Sequence, residues 1–262
     1  MALPMFHIDA FTDQPFHGNP AAVCPLAKWL DDETLQAVAL ENNLSETAYF
    51  VAENEDYRLR WFTPKYEANL CGHATLASAF VLMTILEPQR GVVRFMTRSG
   101  MLTVRREPDF FAMDFPALPP WICATPPAGL KEGLPGPSPV SVQQIKDDYF
   151  VIYESEQDVR QLAPNLALLE SLHPAGVAIT APGTHADFVS RYFAPSYGIP
   201  EDPVTGSTHC SLVPYWAKRL GRAKLHAQQV SQRGGELWCE LLGERVRIKG
   251  NARLTLEGSL LI

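Results

Sequence analysis

Two segments of the chain, 131 residues apart, carry nearly the same pattern: Arg60-Trp-Phe-Thr-Pro-Lys-Tyr66 and Arg191-Tyr-Phe-Ala-Pro-Ser-Tyr197. Asp56-Tyr57 and Asp187-Phe188 match at the same offset, and Arg98-Ser-Gly-Met-Leu102 finds Arg233-Gly-Gly-Glu-Leu237 at an offset of 135. In each copy an apolar run with helical spacing opens a few residues after the first match. Collinear matches of this kind mark an internal duplication. The chain is therefore expected to fold as two related halves, and 262 residues are enough to bury a sizeable core.

Each half reads as a meander of short strands plus one strongly apolar helix. Residues 6–11 and 21–24 are strands flanking a turn-rich Gln14-Pro-Phe-His-Gly-Asn-Pro20, and residues 31–42 form a helix opened by acids. Strands follow at 47–51 and 57–62, a helix at 72–86, and strands at 92–96, 101–105 and 110–115. In the second half the order recurs, with strands at 176–180 and 188–193, a helix at 206–220, and strands at 236–242 and 245–248. A helix apolar nearly all round belongs inside, so a sheet curled around a central helix is expected in each half. Residues 116–139 hold eight prolines and three glycines and read as a linker. The expected domains are 1–117 and 118–262, with the last strand returning to the first half, and a ligand cleft between them.

Composition narrows the ligand. With 29 acidic against 22 basic side chains, a net charge of −7 and no basic cluster, neither a nucleic acid nor an anionic membrane is the expected partner; a small solute is. The longest apolar segment, 74–86, is broken by Thr75, Ser78 and Thr84 and is shorter than the ~20 residues that span a bilayer. The start of the chain lacks the basic and apolar regions of a signal peptide, so a cytoplasmic location is expected. Five scattered cysteines without a Cys-x-x-Cys pair indicate neither a disulfide framework nor a zinc knuckle.

Two helix starts carry candidate chemistry. Unpaired N–H groups at a helix N-terminus, with a glycine admitting a ligand to the backbone and a side-chain donor beside it, make an anion site. Gly72-His73 and Gly206-Ser207 both have that form. No Gly-x-x-x-x-Gly-Lys-Ser/Thr is present, so the natural anion is a carboxylate rather than a nucleotide phosphate. Plainer readings stand beside these: Ser207 or Thr205 as a simple N-cap, and His73 as a satisfied buried imidazole. Glu46, between Leu44 and Tyr49 at a strand start, is either a solvated acid or a base able to take a proton from carbon and return it. Asp202 precedes a proline and is either a turn opener or a site residue.

Asp9-Ala-Phe-Thr with Gly18-Asn-Pro-Ala-Ala-Val, Leu44-Ser-Glu-Thr-Ala48, Cys71-Gly-His-Ala-Thr75 and Glu201-Asp-Pro-Val-Thr-Gly-Ser207 together resemble the PhzF-like proteins, the phenazine-biosynthesis isomerase family. The resemblance runs nearly end to end and is strongest to its housekeeping branch. It implies an α+β, diaminopimelate epimerase-like fold of two pseudo-symmetric halves, each a strand barrel around a central helix, and a homodimer. It also implies Glu46 as the proton-shuttling acid/base, His73 and Asp202 as polar partners, and Gly72, Gly206 and Ser207 as the substrate's carboxylate cradle. No cofactor and no metal are implied.

Related epimerases carry Cys-Gly-x-Gly at both helix starts, so that two thiols attack one carbon from opposite faces. Here Cys71-Gly-His-Ala74 keeps one thiol and Pro203-Val-Thr-Gly206 has none. The expectation is therefore an isomerase that moves a proton between carbons of a small unsaturated or amino carboxylate with one base. A racemase using Cys71 and a non-catalytic carboxylate-binding protein are the alternatives.

Overall fold

The computed structural model describes residues 2–262, and the chain divides into two compact units. One comprises Met1–Asp114 with Lys249–Ile262, and the other Phe115–Ile248.

The first unit runs β1 (Ala2–Ala10), β2 (Asn19–Leu26), α1 (Asp32–Asn42), β3 (Glu46–Glu53), β4 (Asp56–Phe62), β5 (Glu67–Ala68), α2 (Gly72–Val81), β6 (Val92–Thr97), β7 (Gly100–Arg106) and β8 (Phe111–Pro116). The turn after β1 requires Gly18: its φ is +66°, and a Cβ there would sit 2.2 Å from the Ala10 carbonyl oxygen. Helix α1 starts at Asp31, whose carboxylate accepts the Thr34 N–H at 2.8 Å. Neighbouring strands are antiparallel except at two joints, β2 with β3 and β4 with β6. Parallel neighbours need a crossover, and α1 and α2 supply the two. The C-terminal strand Ala252–Leu261 pairs antiparallel with β1.

Helix α2 is Gly-His-Ala-Thr-Leu-Ala-Ser-Ala-Phe-Val, and its small residues are buried on nearly every side. The expected 72–86 helix changes pitch at its end. Residues 82–86 form a π turn in which the Glu87 N–H reaches the Leu82 carbonyl at 2.6 Å.

The second unit adds β9 (Trp121–Ile122), α3 (Ala128–Gly133), β10 (Ser141–Ile145), β11 (Asp148–Ile152), α4 (Glu156–Gln161), α5 (Leu166–Glu170), β12 (Val177–Pro182), β13 (Phe188–Ala194), β14 (Ile199–Asp202), α6 (Gly206–Leu220), β15 (Lys224–Gln229), β16 (Gly235–Leu242) and β17 (Arg245–Gly250). The duplication is visible in its register. Thr47 pairs with Phe62 across β3 and β4, and Val177 with Phe193 across β12 and β13. Tyr57 lies beside Phe95 in a parallel joint, as Phe188 lies beside Ala227. Side-chain chemistry repeats as well. Arg60 forms a two-pronged pair with Glu67, and Arg191 with Glu201, each guanidinium lying over a phenylalanine two residues on.

Residues 116–139, expected to be a linker, are instead part of the second unit's core. Leu130 and Leu134 pack with Val151, Tyr153 and Phe193, because the prolines flank a short helix whose leucines point inward. The same segment repairs a defect in α6. Pro214 has no N–H for the Cys210 carbonyl one turn before it, and the Leu118 N–H donates to that oxygen at 2.9 Å.

Candidate active site

Glu46 is the first residue of β3 and lies beside Ala21 of β2 in the parallel joint. Register alone brings it to the start of α2, because that helix packs on β1, β2 and β3. Its Oε2 is 3.1 Å from His73 Nε2, and their side chains are 10% and 6% exposed. The reading of Glu46 as a solvated acid is thereby excluded. The two atoms are close but not aligned for a full hydrogen bond, and Oε2 is otherwise without a partner. Cys71 completes the cluster, its Sγ 3.5 Å from His73 Nδ1.

Cys71 is the residue before the helix, and its side chain caps nothing. The helix ladder begins with the Thr75 N–H donating to the Cys71 carbonyl, so the N–H groups of Gly72, His73 and Ala74 have no partner within the helix. Burial pushes the Cys71 thiol up to about 11, with the Glu46 charge adding to it. Burial also works against a charged His73, but the negative charges available to Cys71 and Glu46 outweigh it and raise the imidazole well above its usual value.

Strand register and the helix starts give each of these residues a counterpart in the second unit. Thr205, Gly206 and Ser207 correspond to Cys71, Gly72 and His73, and Gly176 to Glu46. A Cβ at Gly176 would meet the Tyr192 hydroxyl at 1.9 Å, so no acid fits there without rearrangement. A buried acid therefore stands at this position in one half of the duplication only.

The start of α6 is braced instead. Thr205 occupies the cap position, but its hydroxyl donates to Asp202 Oδ2 rather than capping the helix. Gln229 accepts the Thr205 N–H at 2.9 Å and donates to the Asp202 carbonyl at 2.7 Å. His209 Nδ1 lies 2.8 Å from the Thr205 carbonyl, and burial lowers this imidazole to about 4. Asp202 is buried, Gly206 is buried, and Ser207 is exposed. The sequence reading missed Gln229 and His209. His209 lay within the expected 206–220 helix, one turn after Thr205; Gln229 ends a strand with no local signal.

The chain matches the family model described as phenazine biosynthesis-like protein over residues 8–258. It is 56% identical over 260 residues to a Pseudomonas aeruginosa protein named an uncharacterized isomerase, with 99% of both chains covered. The crystal structure of a PhzF-family phenazine biosynthesis protein from Enterococcus faecalis superposes with a TM-score of 0.96 at 42% identity, covering 100% of both chains. A hydroxyproline epimerase from Agrobacterium vitis shares the fold alone, with a TM-score of 0.63 at 11% identity, covering 99% of this chain and 92% of that one. The fold is the diaminopimelate epimerase-like one, with a helix-centred strand barrel in each pseudo-symmetric half, and the protein is an isomerase. It belongs to the phenazine biosynthesis-like, or PhzF, family.

No helix among the described residues is long and apolar enough to cross a membrane. Glu46, Cys71 and His73 are also a group able to hold a metal ion, their donor atoms all lying within 4.8 Å of one another.

Proposed function

We propose that the protein moves a proton between two carbons of a small unsaturated or amino carboxylate, without a cofactor, with Glu46 as the single acid/base. The observation that carries this is the buried Glu46–His73 pair at the open start of α2, with no counterpart to Glu46 in the other half.

Glu46 takes a proton from carbon, the electron pair passes into the conjugated system of the substrate, and the same carboxyl returns the proton at a second carbon. General acid/base transfer of this kind is typically worth about 10²–10⁴ in rate. His73, 3.1 Å from Glu46, donates toward the developing charge or toward Glu46. Each helix start, at Gly72 in one unit and at Gly206 with the Ser207 hydroxyl in the other, is suited to hold a carboxylate, and Asp202 orients the start of α6 through Thr205. The protein acts on this reading in the cell interior as a homodimer.

A racemase using Cys71 fits less well. Its thiol is held neutral by burial, and Thr205 stands where a second thiol would be required. The test is proton NMR in deuterated buffer with a panel of small unsaturated and amino carboxylates. Deuterium entering a substrate carbon with wild-type protein, and not with Glu46→Gln, is the expected result. Binding without any exchange across the panel would favour a non-catalytic carboxylate-binding protein.

A further inference from the structure

Glu46, Cys71 and His73 combine three donor types that metal ions prefer, on two elements, around a carboxylate oxygen with no aligned partner. We propose that this cluster binds one thiophilic divalent cation of the zinc type, and that occupancy shuts the isomerase off by taking up Glu46.

Zinc binds thiolate at about 2.3 Å and imidazole or carboxylate at about 2.0–2.2 Å, so a tetrahedral centre sets its donors about 3.3–3.7 Å apart. Nε2 of His73 and Oε2 of Glu46 are 3.1 Å apart, and Sγ of Cys71 is 4.0 Å from that nitrogen. All three donor atoms lie within 4.8 Å of one another, so the set has to draw together slightly to reach that geometry. Three protein donors leave a fourth position for water or a ligand carboxylate, the arrangement of an open site.

Charge favours the same occupant. A dication, a thiolate, a carboxylate and a neutral imidazole sum to zero, which is the least costly state for a buried cluster. Binding requires that the proton of the Cys71 thiol and any proton on His73 Nε2 be released to solvent, leaving the thiolate sulfur and the neutral imidazole as ligands. The three residues are 5–8% exposed and the Glu46 Oε2 atom is buried, so the donors face an enclosed position rather than open solvent. Sequence spacing offers no hint of the site, because Cys71 and His73 are two residues apart and Glu46 is 25 residues before Cys71.

Binding is read without reference to catalysis, and only the shut-off rests on the reading under Proposed function. Chelator-treated wild-type protein is titrated with Co²⁺ under anaerobic conditions. One equivalent is expected to bind, with a sulfur-to-cobalt charge-transfer band and the intense visible bands of four-coordination. Cys71→Ala should lose the charge-transfer band, whereas Cys24→Ala should keep it. His73→Asn and Glu46→Gln should each weaken binding by at least roughly tenfold, since even outer-shell changes at metal sites cost that much. Zinc should raise the unfolding temperature of the wild type and not of Cys71→Ala, with circular dichroism reporting that each variant is folded.

Absence of stoichiometric binding overturns the site, and so does binding that survives all three ligand variants, which marks an adventitious ion. Deuterium exchange that continues unchanged with one equivalent of zinc bound overturns the shut-off. If no substrate on the panel exchanges, the cobalt spectra still decide the site.

Discussion

The Glu46 carboxylate and the His73 imidazole meet at 3.1 Å from elements 27 residues apart, both almost wholly enclosed. A buried pair of this kind is sustained by its own geometry: removing either partner leaves the other a desolvated polar group.

Glu46→Gln is expected to fold normally and to lose turnover by a factor on the order of 10³, because glutamine keeps the size and cannot carry the proton. Affinity for a carboxylate ligand should be largely kept. Turnover, ligand affinity and thermal unfolding measured on the one variant separate a base from a binding residue.

Cys71→Ala should keep activity within about a hundredfold, equivalent to ~2.7 kcal/mol in the barrier, since the thiol is neutral and uncapped. A larger loss in a folded variant returns the mechanism to thiol chemistry.

His73 titrates higher in the folded chain than the usual value of about 6.5. A raised pKa means that the folded state binds the proton more tightly. The stability this contributes is complete below the unfolded value and disappears as pH rises through the folded one. The gap in unfolding temperature between wild type and His73→Asn should therefore narrow as pH is raised above 6.5. A gap that widens with pH would contradict the assignment.

His209 behaves in the opposite sense. Lowered to about 4 by burial, it stays neutral in the folded protein while the unfolded chain takes up a proton, so stability falls as pH drops from 6.5 toward 4. The loss amounts to at most ~3 kcal/mol. His209→Asn keeps a donor for the Thr205 carbonyl, and its unfolding free energy should be flatter across that window in urea titrations.

Arg191 holds four acceptors at once: both oxygens of Glu201 and the carbonyls of Val159 and Leu162. Lysine has no planar fork, so Arg191→Lys should cost on the order of 2 kcal/mol. Arg58→Lys, at a pair with both partners about half exposed, should change stability by less than ~0.5 kcal/mol. Denaturant midpoints compare the two directly.

The repeated Arg-x-Phe-x-Pro-x-Tyr segments, the period of the apolar runs and the glycines that open two helices are local properties, and they were enough to reveal the duplication, both central helices and the positions of Gly72, His73, Gly206 and Ser207. A residue's spacing along its own element survives folding unchanged, so such patterns can be read directly. What joins distant segments cannot. Nothing near Glu46 distinguishes a solvated strand-start acid from a buried one until the parallel joint of β2 with β3 sets it against α2. The proline-rich segment looked like a linker because its composition reports backbone stiffness and not the packing of Leu130 and Leu134. Gln229 joined the start of α6 only through the crossover that lays β15 beside β13. Sequence by itself determined two related halves and the local chemistry of each helix start. The tertiary structure decided that the buried acid beside α2 has no counterpart in the other half, because Tyr192 fills the space that a side chain at Gly176 would need.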